Sequence, residues 1–110
     1  PTRRSSDLFV HSQDGSHLRK TVVHASEKYQ VGFFSLIHDS FGTIPAHAGA
    51  MFKAVRETMV ETYENNDVLA DFREQFVEQL HATQLEKMPP IPSRGTLCIQ
   101  EVLESTFAFA

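Results

Sequence analysis

The apolar periodicity of this chain changes once and then changes back. From Ser16 to Tyr29 the spacing is helical: Leu18, Val22, Ala25 and Tyr29 fall at i, i+4, i+7 and i+11, a single stripe. From Val31 to Ile37 the period becomes two. Phe33, Ser35 and Ile37 alternate with Phe34, Leu36 and His38 in a β-branched and aromatic run. From Ala46 the helical period returns. A chain with this pattern is neither all-α nor all-β. The pattern predicts an α+β fold, mostly helical, with one β-hairpin packed against helices.

The details of that expectation are specific. Asp14 or Ser16 caps the first helix, with Gly15 easing the turn into it. Val31–Ile37 is a strand buried on both faces. Asp39-Ser40 is a turn signal, and Phe41–Ile44 is a second strand stopped by Pro45. The hairpin then carries His38 and Asp39 at its tip. A second helix covers Ala46–Asn65, with Phe52, Val55, Met59 and Tyr63 inward and Lys53, Glu57, Glu61 and Glu64 solvated. Asp67 caps a third helix, with Leu69, Phe72, Phe76 and Leu80 on one face. Met88–Gly95 is a Pro-rich connector. Thr96–Ile99 is a short strand, and Gln100–Ser105 is one or two helical turns.

Composition narrows the class of protein. At 110 residues the chain is one domain at most. Its 41% hydrophobic and 22% charged residues are ordinary for a globular protein and exclude collagen-like or fully disordered chains. No apolar run approaches the length of a membrane span, so no membrane partner is expected. Nothing resembles a secretory leader, and the single Cys98 can form no internal disulfide, so a reducing setting is expected. The net charge of −4 argues against a free-standing nucleic-acid-binding module.

Pro1–Leu8 read differently from the rest. They are polar, aperiodic, and back-translate as CCT ACA CGA CGC TCT TCC GAT CT. That string looks like the end of a common short-read sequencing adapter. Residues 1–8 are therefore expected to be adapter read-through and are excluded from fold reasoning. The other end, Phe107-Ala108-Phe109-Ala110, is apolar where a terminus is usually polar, and so is expected to dock on protein.

Few residues invite chemistry. His38-Asp39 is the most suggestive pair. A carboxylate at the end of an apolar strand is costly unless it is paired or binds a metal, and oxygen-seeking divalent ions suit it. On spacing alone Asp39 reads equally as a turn residue accepting backbone donors, the commoner case. His11–His17 is a dense polar run, read on composition as a capped helix entry. Its histidines lack the spacing of a zinc motif. His24, His47 and His81 read as surface or boundary residues. Arg19, Lys20, Lys53 and Arg56 are basic residues near the hairpin, and Lys53 and Arg56 read as solvated.

Longer stretches carry a resemblance. Phe9–Thr21 (FVHSQDGSHLRKT), Leu36–Thr43 (LIHDSFGT), Lys53–Val60, Asp67–Phe72, Leu85–Pro89 and the closing Phe107–Ala110 resemble the C-terminal end of the single-subunit DNA-directed RNA polymerases of T-odd coliphages. The resemblance covers essentially all of Phe9–Ala110. It implies that residues 9–110 are the C-terminal part of a polymerase palm, ending in that family's C-terminal foot, Phe107, Ala108, Phe109 and Ala110. The His-Asp-Ser hairpin would be the palm's motif C. Asp39 would be one of two catalytic aspartates holding Mg2+, with His38 as its catalytic neighbour, and His11 would lie at the nucleic acid near the primer-terminal base pair.

The implied partners are the DNA template, the nascent RNA, ribonucleoside triphosphates and the rest of the polymerase chain. The implied setting is the cytoplasm of an infected bacterial host. Most of the basic channel would lie outside these residues, which reconciles the acidic charge with nucleic acid. A single carboxylate cannot hold two ions, so the chain alone is expected to be inactive. Two other readings stay open on the residues themselves: a small independent metal-dependent phosphotransfer or hydrolase domain, with Asp14 or Glu57 as a second ligand, and a non-enzymatic helical interaction module.

Overall fold

A computed structural model describes residues 3–109, with side chains from residue 7 onward. Pro1, Thr2 and Ala110 of the foot lie outside the described residues. The architecture is α+β. Helix α1 runs Arg3–Tyr29, strands β1 (Ser35–Ile37) and β2 (Ser40–Gly42) follow, and a 3₁₀ turn at Pro45–His47 leads into α2 (Ala48–Asn65). Three shorter helices complete it: α3 (Val68–Val77), α4 (Ala82–Leu85) and α5 (Glu101–Glu104).

α1 starts well before the predicted Asp14–Ser16 cap. Gly15 sits inside it, with open space where a Cβ would point. A glycine in a helix interior costs only about 1 kcal/mol, which neighbouring contacts can offset. One such contact is visible: the Phe9 ring lies 4.2 Å from that of Phe72 on α3. The end of α1 is sharper. Gln30 takes a left-handed φ of 56°, and the Val31 N–H turns back to the Ala25 carbonyl at 3.1 Å. This satisfies a carbonyl that the helix leaves open.

α1 and α2 pack along a seam of small and polar residues. The apolar core is Ala25, Val31, Met51, Ala54 and Val55, flanked by Tyr29, Phe34, Phe41, Ala50 and Phe109. Interleaved with it are buried His17, Thr21, Thr58 and Thr62. Of the expected α2 stripe only Val55 is fully buried, and Phe52 and Tyr63 remain exposed. The buried face is rotated toward threonines because their hydroxyls pair. Thr21 Oγ1 lies 2.8 Å from Thr58 Oγ1, and Thr58 also donates to the Ala54 carbonyl at 2.8 Å.

The hairpin is antiparallel, with Ser35 opposite Gly42, Leu36 opposite Phe41 and Ile37 opposite Ser40. Thr43 extends it by donating to the Phe33 carbonyl at 2.7 Å. The predicted alternation holds, but only one face is covered. Phe34, Leu36 and Phe41 face the helices, while Phe33 and Ile37 are 67% and 69% exposed. Among the described residues the two-stranded ribbon has one helical layer beneath it and nothing above.

Asp67 caps α3 as expected, accepting from the Ala70 N–H at 3.1 Å. Arg94 reaches the same carboxylate at 2.6 Å and ties the Pro-rich connector to this corner. The Ala70 amide and then Arg94 hold the Asp67 carboxyl below its ordinary range. The expected strand at Thr96–Ile99 is not formed; no partner strand borders it, and those residues enter α5 through turns. The whole is elongated, 58 × 27 × 24 Å. Among the described residues, no helix is long and apolar enough to cross a membrane.

Candidate active site

β1 and β2 are joined by the two residues His38 and Asp39. His38 adopts φ 53°, while Asp39 does not share a positive φ. A left-handed first position followed by an ordinary second one is the sign pattern of a type II′ hairpin turn, which suits the twist of paired strands. A histidine there is strained, at a cost of order 1–3 kcal/mol, and such strain tends to cluster at functional sites.

The turn aims both side chains outward. Asp39 is exposed, so the burial cost that first drew attention to it is not incurred. Among the described residues its carboxylate accepts no hydrogen bond and joins no ion pair. It is therefore not the acceptor of turn amides that the commoner reading required. Its hairpin borders a cavity of about 390 Å³, lined also by Phe41, Met51, Phe52, Arg56 and Phe109.

α1 brings its polar run to the same region. His38 Nδ1 lies 3.8 Å from Asp14 Oδ2. His11, also exposed, is three residues before Asp14 and so on the same helical face. The run is thus the interior of a continuous helix, not a cap.

His17 is the residue that sequence reasoning passed over. It is buried, with Nε2 2.9 Å from the Val55 carbonyl, to which it donates, and 3.2 Å from Thr58 Oγ1. Its ring stacks on Phe109 at 5.5 Å and meets Phe41 edge-on at 5.7 Å. The signal was its spacing from Thr21 and Ala25, which places three small or polar residues on one face.

The closing segment divides. Phe109 is half-buried against His17, and Ala108 is partly covered, whereas Phe107 is 84% exposed. The expectation that both aromatic rings dock is met within this chain by Phe109 alone. Arg56 is not solvated as expected but is 2% exposed. Burial holds its guanidinium below its ordinary pKa.

Glu57, also expected in solvent, gathers His24 at 2.7 Å, Lys28 at 2.9 Å and Tyr29 at 2.8 Å. Burial pushes its carboxyl up, but the combined hydrogen bonds outweigh this and hold it below the usual range. His24 is accordingly part of a polar cluster, not a bare surface residue. Glu57 is committed there and is no second ligand beside Asp39. Asp14 is the nearer acid, and it faces His38. Among the described residues no group of three or more His, Cys, Asp or Glu side chains could hold a metal ion. Asp39 offers an exposed, hard oxygen donor of the kind that magnesium takes.

The unit is mostly helical and presents an unpaired carboxylate on a tight hairpin. The family model for DNA-dependent RNA polymerase matches residues 8–88, and the chain belongs to that family. It is 72% identical over 102 residues to the DNA-directed RNA polymerase of Enterobacteria phage T3, covering 93% of this chain and 12% of that protein. It is 69% identical over 102 residues to the T7 RNA polymerase of Escherichia phage T7, again 93% of this chain and 12% of the relative. A plant relative, DNA-directed RNA polymerase 1A of Nicotiana tabacum, is 37% identical over 101 residues, 92% of this chain and 61% of that one. The chain thus spans about an eighth of the length of the phage polymerases it matches.

Proposed function

We propose that residues 9–110 form the C-terminal part of the palm of a phage-type RNA polymerase, which adds ribonucleotides to an RNA 3′ end on a DNA template in the cytoplasm of an infected bacterium. Residues 1–8 are read as foreign to it. The observation that carries the reading is Asp39: an exposed carboxylate, free of protein donors among the described residues, held on a strained two-residue turn. A carboxylate with a structural task would be paired. One kept free is available to a cation.

In this reading Asp39 supplies one of two carboxylates that hold Mg2+, and the partner acid lies in the rest of the polymerase. Magnesium held there would supply stabilisation of the negative charge that develops on the reacting oxygens. The chain's own residues position. The turn fixes where the Asp39 oxygens sit. His38 stands beside them, steadied by Asp14. His11 presents a donor on the same α1 face for the nucleic acid. The α1–α2 seam keeps that face and the hairpin in fixed relation. With one metal-binding acid and no nucleotide-binding helix of its own, the chain alone does not polymerise, and a promoter template with all four nucleotides and magnesium should yield no transcript from it.

The decisive experiment is Asp39→Asn in the full-length polymerase. The shape is kept and the charge is lost. Metal stabilisation of transition-state charge is worth several kcal/mol, so single-turnover nucleotide addition should fall on the order of a thousandfold or more. Template binding depends on phosphate contacts elsewhere and should change little. Near-normal incorporation, or failure through lost binding alone, would return Asp39 to the role of a turn residue.

A further inference from the structure

We propose that Arg56 is a positioning residue for nucleotide addition, fastening the Ser105–Phe109 segment against the base of the Asp39 hairpin. The inference rests on the reading of Asp39 above and extends it to a residue that acts through its neighbours.

Arg56 is buried in the middle of α2, yet among the described residues no carboxylate lies within ion-pair distance of it. Burying a guanidinium is expensive, and an apolar side chain of similar volume would fill the space at less cost. What an apolar side chain cannot do is bind carbonyls. Arg56 Nε donates to the Ser105 carbonyl at 3.0 Å and Nη2 to that of Thr106 at 3.3 Å. Nη1 donates to the Phe52 carbonyl on its own helix at 3.1 Å, and the guanidinium lies 3.3 Å from the centre of the Phe52 ring. The fork is therefore held rigidly from one side and presented to the closing segment on the other.

Ser105 and Thr106 follow α5 and belong to no helix or strand. A segment without a ladder of its own needs an external partner for its backbone. Arg56 is that partner at two successive carbonyls. Three residues on, Phe109 covers the His17 ring, and its centroid is 6.0 Å from the guanidinium. His17 in turn abuts Phe41, which pairs with Leu36 and lies two residues from Asp39. The contacts form one unbroken chain from Arg56 to the hairpin. If the segment lifted, His17 and Phe41 would lose their cover and the inner side of the hairpin would open to water.

The test is a double-mutant cycle in the full-length polymerase: Arg56→Met, deletion of Phe107–Ala110, and both together. Three quantities are read: the single-turnover addition rate, the Mg2+ concentration giving half that rate, and hydrogen exchange at Ser105–Phe109 and Leu36–Phe41. Arg56→Met should slow addition about tenfold, raise the half-maximal Mg2+ several-fold, and speed exchange in both segments. Added to the deletion it should cost little more, because Arg56 acts through the Phe109 cover of His17 that the deletion already removes. A mere loss of folded protein would lower the amplitude and leave the rate and the Mg2+ dependence unmoved. Should Arg56→Met reduce the yield of folded enzyme, Arg56→Lys carries the same cycle, since it keeps the cation but cannot reach two carbonyls at once. Normal rate and exchange, or costs that multiply in the double variant, would overturn the proposal. That result alongside a dead Asp39→Asn enzyme refutes Arg56 alone, whereas an active Asp39→Asn enzyme refutes the reading beneath it.

Discussion

The rings of His17 and Phe109 lie nearly parallel, 21° apart, though ninety-two positions separate them in the chain. This contact joins the end of the chain to the middle of its longest helix. In the full-length polymerase, Phe109→Ala should weaken local stability by about 1–2 kcal/mol, the range for a partly buried aromatic pair. Hydrogen exchange of the amides around His17 would report it as faster opening. Unchanged protection would mean that the stacking contributes nothing.

The hydroxyl pair of Thr21 and Thr58 should behave non-additively. Thr58→Val leaves Thr21 Oγ1 buried without its partner, which costs about 1–3 kcal/mol. Thr21→Val with Thr58→Val removes both polar groups together. The double variant should therefore be closer to wild type than the sum of the two singles, in melting or exchange measurements. Simple addition would show that the hydroxyls act independently.

The Glu57 cluster predicts a pH dependence with a definite sign. Its carboxyl is held below the ordinary 4.5 in the folded state. The stabilisation it brings is then present above about pH 4.5 and is lost as pH falls through the lower folded value. Glu57→Gln should flatten this acid limb of the melting profile and lower stability at neutral pH. An identical acid limb in the variant would locate the dependence in other carboxylates.

At His38 the backbone matters separately from the side chain. Because φ is 53°, glycine should be accepted there, while a β-branched residue is penalised by about 1–2 kcal/mol. His38→Val should loosen the hairpin amides more than His38→Gly, as read by hydrogen exchange. The reverse order would contradict the turn geometry.

The switch from helical to alternating period located the hairpin to within a few residues, because a period of two has no helical counterpart. Asp67 was legible as a cap because its chemistry is local: one carboxylate, one amide three residues on. Apolar spacing found part of the covered face of α1, with Ala25 buried and Leu18, Val22 and Tyr29 half-buried, but it missed the polar residues beside them and misplaced most of the α2 face. Their seam holds His17, Thr21 and Thr58, and Arg56 is buried on the side of α2 that faces the closing segment; each of these polar residues finds a partner on another element. A pattern that counts apolar positions assigns these residues to solvent. Gly15 misled in the opposite direction, since its helix-breaking tendency is weak beside contacts such as that of Phe9 with Phe72. Asp39 itself was named by spacing as a turn residue and by resemblance as a metal ligand. No sequence pattern could have indicated that its carboxylate lacks a protein donor.

The polar seam between α1 and α2 has a further consequence. Helices that meet through apolar side chains can slide by one turn, about 5.4 Å, and still bury similar area. Helices pinned by Thr21 to Thr58 and by His17 to Val55 cannot, because every hydrogen bond would break together. The seam therefore acts as a ruler. The axial offset between the α1 face carrying His11 and Asp14 and the hairpin that leads into α2 is graduated in whole turns, with only one mark permitted.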